Sequence, residues 1–274
     1  MTIIPVETPE DFLLAQQFII PHEKTCVSLA SLVRRKSDKL IFLKNDSKVN
    51  GLINLDSTIY HCIPDISKID AAAVLKENLP YLMKKPVRCI SGESSATEFL
   101  MQFFDTAAQV NPYKMMHWKG FLDTSTPLSN FSSDEEIIRC TEHDMEILHP
   151  LQKDYMKDEV AVPGRTITDA EVDITLRNIL KNQLCFALLC DGEPVAKANT
   201  NAIGINCVQI GGVYTHPLYR RNGYAAALVQ TLGNRARHAH RQPVLFVKEK
   251  NTPAFNLYQK LGFEECGRYT IVYY

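Results

Sequence analysis

From Glu136 to Tyr274 the apolar residues switch between a two-residue and a three-to-four-residue period in an order that few architectures accept. Glu136 to Thr141 predicts a strand, and Asp144 to Val160 carries Met145, Leu148, Leu151, Tyr155 and Met156 at helical spacing. Thr168 with Glu171 three residues on is a capping box; Val172, Leu176, Ile179 and Leu180 form the face of the helix it opens. Strands follow at Leu184 to Cys190, Pro194 to Asn201 and Cys207 to Thr215, the first two joined by the turn pair Asp191-Gly192. Gly223 to Ala239 reads as a helix and Val244 to Val247 as a strand. Pro253 to Leu261 is a helix with proline in its first turn and Gly262 past its end. A strand-like run finishes at Tyr274. Helices interleaved among strands in this way give an α/β (α+β) fold, a mixed sheet with helices on its faces.

Residues 1–123 repeat the same order in a weaker form. Strands are predicted at Ile3 to Val6, Lys39 to Lys44, Val49 to Leu55, Thr58 to Ile63, Val87 to Ser91 and Tyr113 to Leu122. Helices are predicted at Pro9 to Ile20, Lys24 to Val33, Ile66 to Met83 and Ser94 to Phe104. Setting Pro86-Val87 on Pro243-Val244 without gaps brings Leu100 onto Leu257 and Gln102 onto Gln259, which supports an internal duplication. The stretch from Asp123 to Glu135 is rich in Ser, Thr, Pro, Asn and Asp, offering turns and caps rather than an apolar face. The expected organisation is one domain at 1–123, a linker at 124–135 and a second domain at 136–274. A length of 274 residues suits two modest domains, and 45% hydrophobic residues can fill a core in each without metal or disulfide staples.

Thirty basic and 31 acidic side chains leave a net charge of −1, which speaks against nucleic acid or an anionic membrane as partner, since both select a basic surplus. No segment reaches the ~18 uninterrupted apolar residues of a membrane span. The eight cysteines are scattered without a Cys-x-x-Cys pair, several of them inside apolar strands. With an N-terminus that has early acids and no basic lead, they point to a reducing, cytoplasmic compartment.

Chemistry concentrates between Gln209 and Ala225. A strand runs into a short loop, and the loop opens a helix at Gly223. A helix N-terminus carries unpaired N–H groups and a partial positive charge, so it suits a phosphate or pyrophosphate. Gly223 removes the Cβ that would hold an anion off, Ala225 keeps the next position small, and Arg220 and Arg221 add charge. Neither the G-x-x-x-x-G-K-[ST] phosphate loop nor the G-x-G-x-x-G dinucleotide fingerprint is present here.

Arg220-Arg221-Asn222-Gly223-Tyr224-Ala225 resembles the Q/R-x-x-G-x-G/A pyrophosphate loop of the GNAT superfamily of acyl-CoA-dependent N-acyltransferases. Asn251, Ala254, Leu257, Tyr258, Gly262 and Phe263 match that family's second signature, N-x-x-A-x-x-L-Y-x-x-x-G-F. The likeness covers Glu136 to Tyr274 and implies a mostly antiparallel sheet flanked by helices, in a tandem arrangement whose first half is a degenerate copy. At the matching places of that half stand Ser94 for Asn251 and Met101 for Tyr258, and no R-x-x-G-x-A occurs, so it is not expected to use acyl-CoA.

What the resemblance implies is attack by a primary amine, of a small molecule or a protein, on the thioester of acetyl-CoA, with no metal. Backbone amides of Val213, Tyr214 and Thr215 would hold the pantetheine arm and polarise the carbonyl. Gly211-Gly212 before them fits a bulge, though paired glycines also mark close packing. Amides of Arg221 to Ala225 would take the pyrophosphate, and Asn251, Ala254 and Phe255 would line the other side of the cofactor. Tyr258 would be the general acid for the leaving thiolate; by periodicity alone it reads as a packing residue.

The base stays open. The family's glutamate slot on the fourth strand holds Gln209, which can orient a water; Glu159 and His216 are the other candidates. An acceptor amine of lowered pKa would need none. His238 and His240, two apart on a helix, do not make a metal pair, and Asp154, Asp158 and Glu159 read as a charged helix face. The acceptor pocket is expected from Asp154 to Arg165, the loop after it and the face of the N-terminal half. Acceptor identity, acyl length and the number of subunits stay open. A second reading is an acyl-CoA-binding regulatory protein without turnover. A third, a tandem-GNAT transferase using aminoacyl-tRNA, is disfavoured by the intact pyrophosphate loop and the neutral charge.

Overall fold

The computed structural model describes residues 1–65, 74–78, 83, 85–119, 132–161 and 164–274. The N-terminal half contains β1 (Thr2–Pro5), α1 (Pro9–Ile19), α2 (Val27–Arg34), β2 (Leu40–Asn45), β3 (Lys48–Asn54), β4 (Thr58–Cys62), β5 (Cys89–Glu93), α3 (Ser94–Met101) and β6 (Gln109–Trp118). The C-terminal half contains β7 (Glu135–Arg139), α4 (Met145–Tyr155), α5 (Asp169–Asn182), β8 (Cys185–Cys190), β9 (Glu193–Ile203) and β10 (Cys207–Thr215). It ends with α6 (Tyr224–His238), β11 (Gln242–Lys248), α7 (Thr252–Lys260) and β12 (Phe263–Tyr273). The expected helix from Ile66 to Met83 lies outside the described residues except for 74–78, which are helical, and Met83. Residues 120–131, with most of the expected linker and the end of the strand read to Leu122, also lie outside them.

The twelve strands among the described residues join one sheet in the order β1-β2-β3-β4-β5-β12-β6-β11-β10-β9-β8-β7. Among the described residues only β4–β5 and β10–β11 pair in parallel, so the sheet is mixed and mostly antiparallel, as the fold class requires. The order also exposes the duplication. Each half lays down five strands in sequence order, and the halves then exchange their last strands: β12 pairs with β5, and β6 pairs with β11. The exchanged strands pair with each other along nearly their whole length, from Phe263 opposite Trp118 to Tyr273 opposite Gln109.

Local chemistry explains most boundaries. Thr168 and Glu171 form the expected capping box, and Asp191 and Gly192 both take positive φ, as a two-residue hairpin of primed type requires. Two helices differ from expectation. The one read as Lys24 to Val33 is a 3-10 turn, Ile20–Thr25, and then α2, broken at Cys26 (φ −147°, ψ 40°). The break lets Glu23 turn inward, where it is 1% exposed and accepts from the backbone N–H groups of Ile205, Asn206 and Cys207. The helix read to Val160 is regular only to Tyr155 and finishes in a π turn, Met156–Val160, closed by Ala161 N–H donating to Met156 O at 2.8 Å.

The main core of the C-terminal half packs Leu228, Val229 and Leu232 of α6 on Ile210, Leu245 and Phe186 of the sheet, and takes in Met116 and Trp118 from the exchanged β6. On the opposite face Val27 of α2 packs with Ala202, Cys207 and Val244, so the N-terminal half covers the back of the C-terminal sheet. No helix among the described residues is long and apolar enough to cross a membrane.

Candidate active site

Strands β10 and β11 stay in register only from Cys207 opposite Gln242 to Ile210 opposite Leu245. Beyond that the strands part, and β10 is bulged against β9 between Gly211 and Tyr214. Gly212 sits at the bulge with φ +57°, and a Cβ there would lie 2.0 Å from Asn199 Oδ1, so both the backbone angle and the space demand glycine. Asn199 Oδ1 accepts from Lys197 Nζ at 3.3 Å, and the same ammonium donates to Gly212 O at 3.2 Å. Lys197 is fully buried under the Tyr155 ring, and burial holds its ammonium below the ordinary lysine range. A lone lysine in the apolar run Val195-Ala196-Lys197-Ala198 was the available sequence signal for this group, and the sequence reading passed over it.

The fork opens a cleft of about 550 Å³. Of the residues the sequence pointed to, Val213, Tyr214, Thr215, Arg220, Arg221, Gly223, Tyr224, Ala225, Asn251, Ala254 and Tyr258 line it. Asn222 and Phe255 do not. The Asn222 carboxamide donates to Tyr219 O at 3.3 Å, and the Phe255 ring lies under Lys114 Nζ at 4.1 Å. Gly223, with φ +84°, is the N-cap of α6 and offers no side-chain cap; a Cβ on it would meet nothing within 4 Å. The first amides of α6 therefore open onto unfilled space at the positive end of a 15-residue helix, an arrangement that fits a pyrophosphate.

Arg220 serves the loop as well as its charge: its Nε donates to Thr215 O at 3.1 Å, and its guanidinium lies 4.0 Å from Asp158. Asp158 accepts from the Tyr214 hydroxyl at 2.7 Å, and burial together with this bond pushes that phenol up to about 12. Asn251 lines the cleft and caps α7, its Oδ1 accepting from Ala254 N–H at 3.1 Å. Tyr258 is 7% exposed, and burial raises its phenol well above the ordinary range, so the hydroxyl stays protonated. Tyr113, carried in on the exchanged β6, and Tyr155 complete the floor.

The base candidates separate. Glu159 lines the cleft, but its carboxylate pairs with Lys248 Nζ at 3.0 Å while the same ammonium donates to Glu159 O at 2.6 Å. His216 is not on the cleft wall; its ring packs against Tyr219, and its Nδ1 is buried. Gln209 points to the opposite face of the sheet, where its Oε1 lies 3.5 Å from Ser28 Oγ.

The matching fork of the N-terminal half is filled. His61 of β4 occupies the space beside β5, since a Cβ on Gly92 would fall 2.1 Å from its Nε2, and that nitrogen bonds Thr97 Oγ1 of α3 at 2.9 Å.

A sheet forked at the end of a parallel pair, with a glycine-capped helix facing the fork, is an arrangement suited to a ligand that bears a diphosphate. Residues 148–263 match the model of the acetyltransferase (GNAT) family, a family that uses acetyl-CoA, and form a GNAT acetyltransferase domain. Among solved structures, the chain resembles a Drosophila protein at 12% identity and TM-score 0.65, covering 99% of this chain and 98% of that one. It resembles a GCN5-related N-acetyltransferase from Sphaerobacter thermophilus at 15% identity and TM-score 0.58, covering 98% and 94%. A tandem GNAT protein from the clavulanic acid biosynthesis pathway matches at 12% identity and TM-score 0.58, covering 99% and 97%. These likenesses span both halves, so the tandem GNAT architecture describes the whole fold. Sequence comparison with curated proteins finds no match.

Proposed function

We propose that the protein is an N-acetyltransferase that moves an acetyl group from acetyl-CoA to a primary amine by direct attack, with Tyr258 as general acid. The observation that carries this reading is the convergence on one fork of the unpaired edge of β10, the open amides of α6 and the buried Tyr258 hydroxyl. Acetyl-CoA supplies an acyl group on a thioester. The amides of Arg221 to Ala225 would hold its diphosphate, those of Val213 to Thr215 its pantetheine arm and carbonyl, and Asn251 and Ala254 its other side. The C–N bond forms as the C–S bond breaks, the ammonium proton goes to water, and Tyr258 gives the thiolate a proton that solvent restores. The acceptor would enter from the face of the sheet opposite α6, where Gln209 lies. The reading goes with a reducing, cytoplasmic compartment, which the scattered cysteines without a Cys-x-x-Cys pair support.

Thiol release from acetyl-CoA with a panel of amines tests the reading. Tyr258→Phe should lower kcat about 10- to 100-fold, as loss of a general acid does, while calorimetric CoA affinity holds. Equal rates in the variant would remove Tyr258 from the chemistry. The engagement of Glu159 with Lys248 favours one other reading, a sensor that binds acyl-CoA without turnover. CoA binding with no thiol release for any amine would select it.

A further inference from the structure

A second cavity, of about 600 Å³, lies on the α2 and α4 side of the sheet. Gly212, Tyr155 and Phe246 line both cavities, so the two meet where β10 leaves β11. Both halves build its wall. Tyr155, Met156 and Val160 come from the segment expected to face the acceptor, Ser28 and Tyr60 come from the N-terminal half, and Tyr269 comes from the exchanged β12.

The chemistry of that wall is lopsided. Its polar groups are carboxamides and hydroxyls; among the described residues it contains no carboxylate, and Arg35 is its one formally charged side chain. Arg35 is exposed, at the end of α2, and makes no ion pair among the described residues. Deeper in, Gln152 of α4 is 0% exposed, and neither its Nε2 nor its Oε1 has a hydrogen-bond partner among the described residues. A buried carboxamide with both ends unmet is costly unless a ligand supplies a donor and an acceptor.

We propose that this cavity selects a small amine bearing a carboxylate or phosphate and neutral hydrogen-bonding groups, its anion held by Arg35 and its polar body by Gln152. The inference rests on reading the neighbouring cleft as the acyl-CoA site, and it makes the N-terminal half the acceptor-reading half. Polyamines are selected against, because a second ammonium would be desolvated with no carboxylate to meet it. The same wall answers the missing base. A desolvated, carboxylate-free site favours the neutral amine, the form that attacks.

The test uses the full chain and four acceptors: an α-amino acid, an amino sugar phosphate, the uncharged amino sugar and spermidine. Thiol release and product mass should show one or both anionic amines used at least tenfold better than the others, the two arms separating carboxylate from phosphate. Arg35→Gln should raise KM for the preferred amine about tenfold or more, as loss of a charge-assisted bond does, and affect KM more than kcat. Calorimetric CoA affinity should not change. Gln152→Leu, with a melting temperature at or above the parent's, should weaken the same amine. Equal use of spermidine, or an unchanged KM in Arg35→Gln, overturns the proposal. Failure of CoA to bind overturns the acyl-CoA reading instead. Thermal shift with the amines alone then decides: stabilisation by an anionic amine in the parent and none in Arg35→Gln supports the pocket, and equal shifts with spermidine reject it.

Discussion

Glu23 is the sharpest test of how the two halves hold together. Its Oε1 accepts from Ile205 N–H at 2.6 Å, Asn206 N–H at 3.0 Å and Cys207 N–H at 3.0 Å, pinning the β9–β10 turn to the N-terminal half. Asn206 is exposed, so its amide can turn to water in a variant; Ile205 is half-buried and Cys207 buried, so theirs lose more. Counting those two amides at about 1–3 kcal/mol each, Glu23→Ala should cost about 2–6 kcal/mol, or on the order of 10 °C of melting temperature for a chain of this size. A second site gives the control. A Cβ on Gly204 would lie 2.2 Å from Glu23 Oε1 and 3.2 Å from Cys207 O, so Gly204→Ala collides with a carboxylate held in place by its amides. With Glu23 already replaced by alanine, most of that collision is gone. Urea unfolding of the parent, both single variants and the double variant should therefore show the double less destabilised than the sum by about 1–2 kcal/mol. A melting temperature for Glu23→Ala within about 2 °C of the parent, or a cycle additive to about 0.5 kcal/mol, would refute the anchor.

Two further predictions read the forks themselves. Burial holds the His61 imidazole down to about 3, against its ordinary 6.5. Between those values the unfolded chain binds a proton that the folded chain refuses, so stability rises with pH across that window and falls on acidification. His61→Gln should flatten this slope by up to about 1.4 kcal/mol per pH unit between pH 4 and 6 in urea titrations; an unchanged slope would contradict the plugged fork. Gly223→Ala should cost about 1–2 kcal/mol for its left-handed backbone and weaken CoA binding about tenfold or more by calorimetry, through the Cβ set against the α6 amides. Parent-like CoA affinity in that variant would move the diphosphate elsewhere.

The sequence made the C-terminal elements legible because each carries its own local signal. The Thr168–Glu171 box, the Asp191-Gly192 turn, Pro253 and Gly262 all sit where the structure uses them. The fork was legible for the same reason, since a glycine pair on a strand and a glycine opening a helix are both local features. Lys197 and Gln152 were not, because one polar residue inside an apolar pattern has no partner that spacing can reveal; their meaning lies in what β10 and the second cavity bring beside them. Arg35 lies two residues past the helix expected to end at Val33, with no sequence signal of its own, and only the fold carries it to the rim of a pocket built mostly by the other half.

Strand exchange was the least legible feature, because a period-two pattern specifies which face a strand buries and not which neighbour it pairs with. The consequence reaches the site. Tyr113 on β6 belongs by sequence to the N-terminal half yet lines the cleft at the fork, and Tyr269 on β12 belongs to the C-terminal half yet joins Tyr60 and Ser91 in the wall of the second cavity. A half that has lost its own phosphate loop and filled its own fork with His61 would be free to drift if it only packed alongside. Here it is held by backbone ladders on both sides of the exchange and by Glu23 on the β9–β10 turn, so its surface stays fixed relative to the fork. Rigid placement is what a pocket needs to present an amine to a thioester on the far side of the sheet. On the proposal made above, a degenerate copy held that firmly has a physical reason to persist: it supplies the acceptor wall.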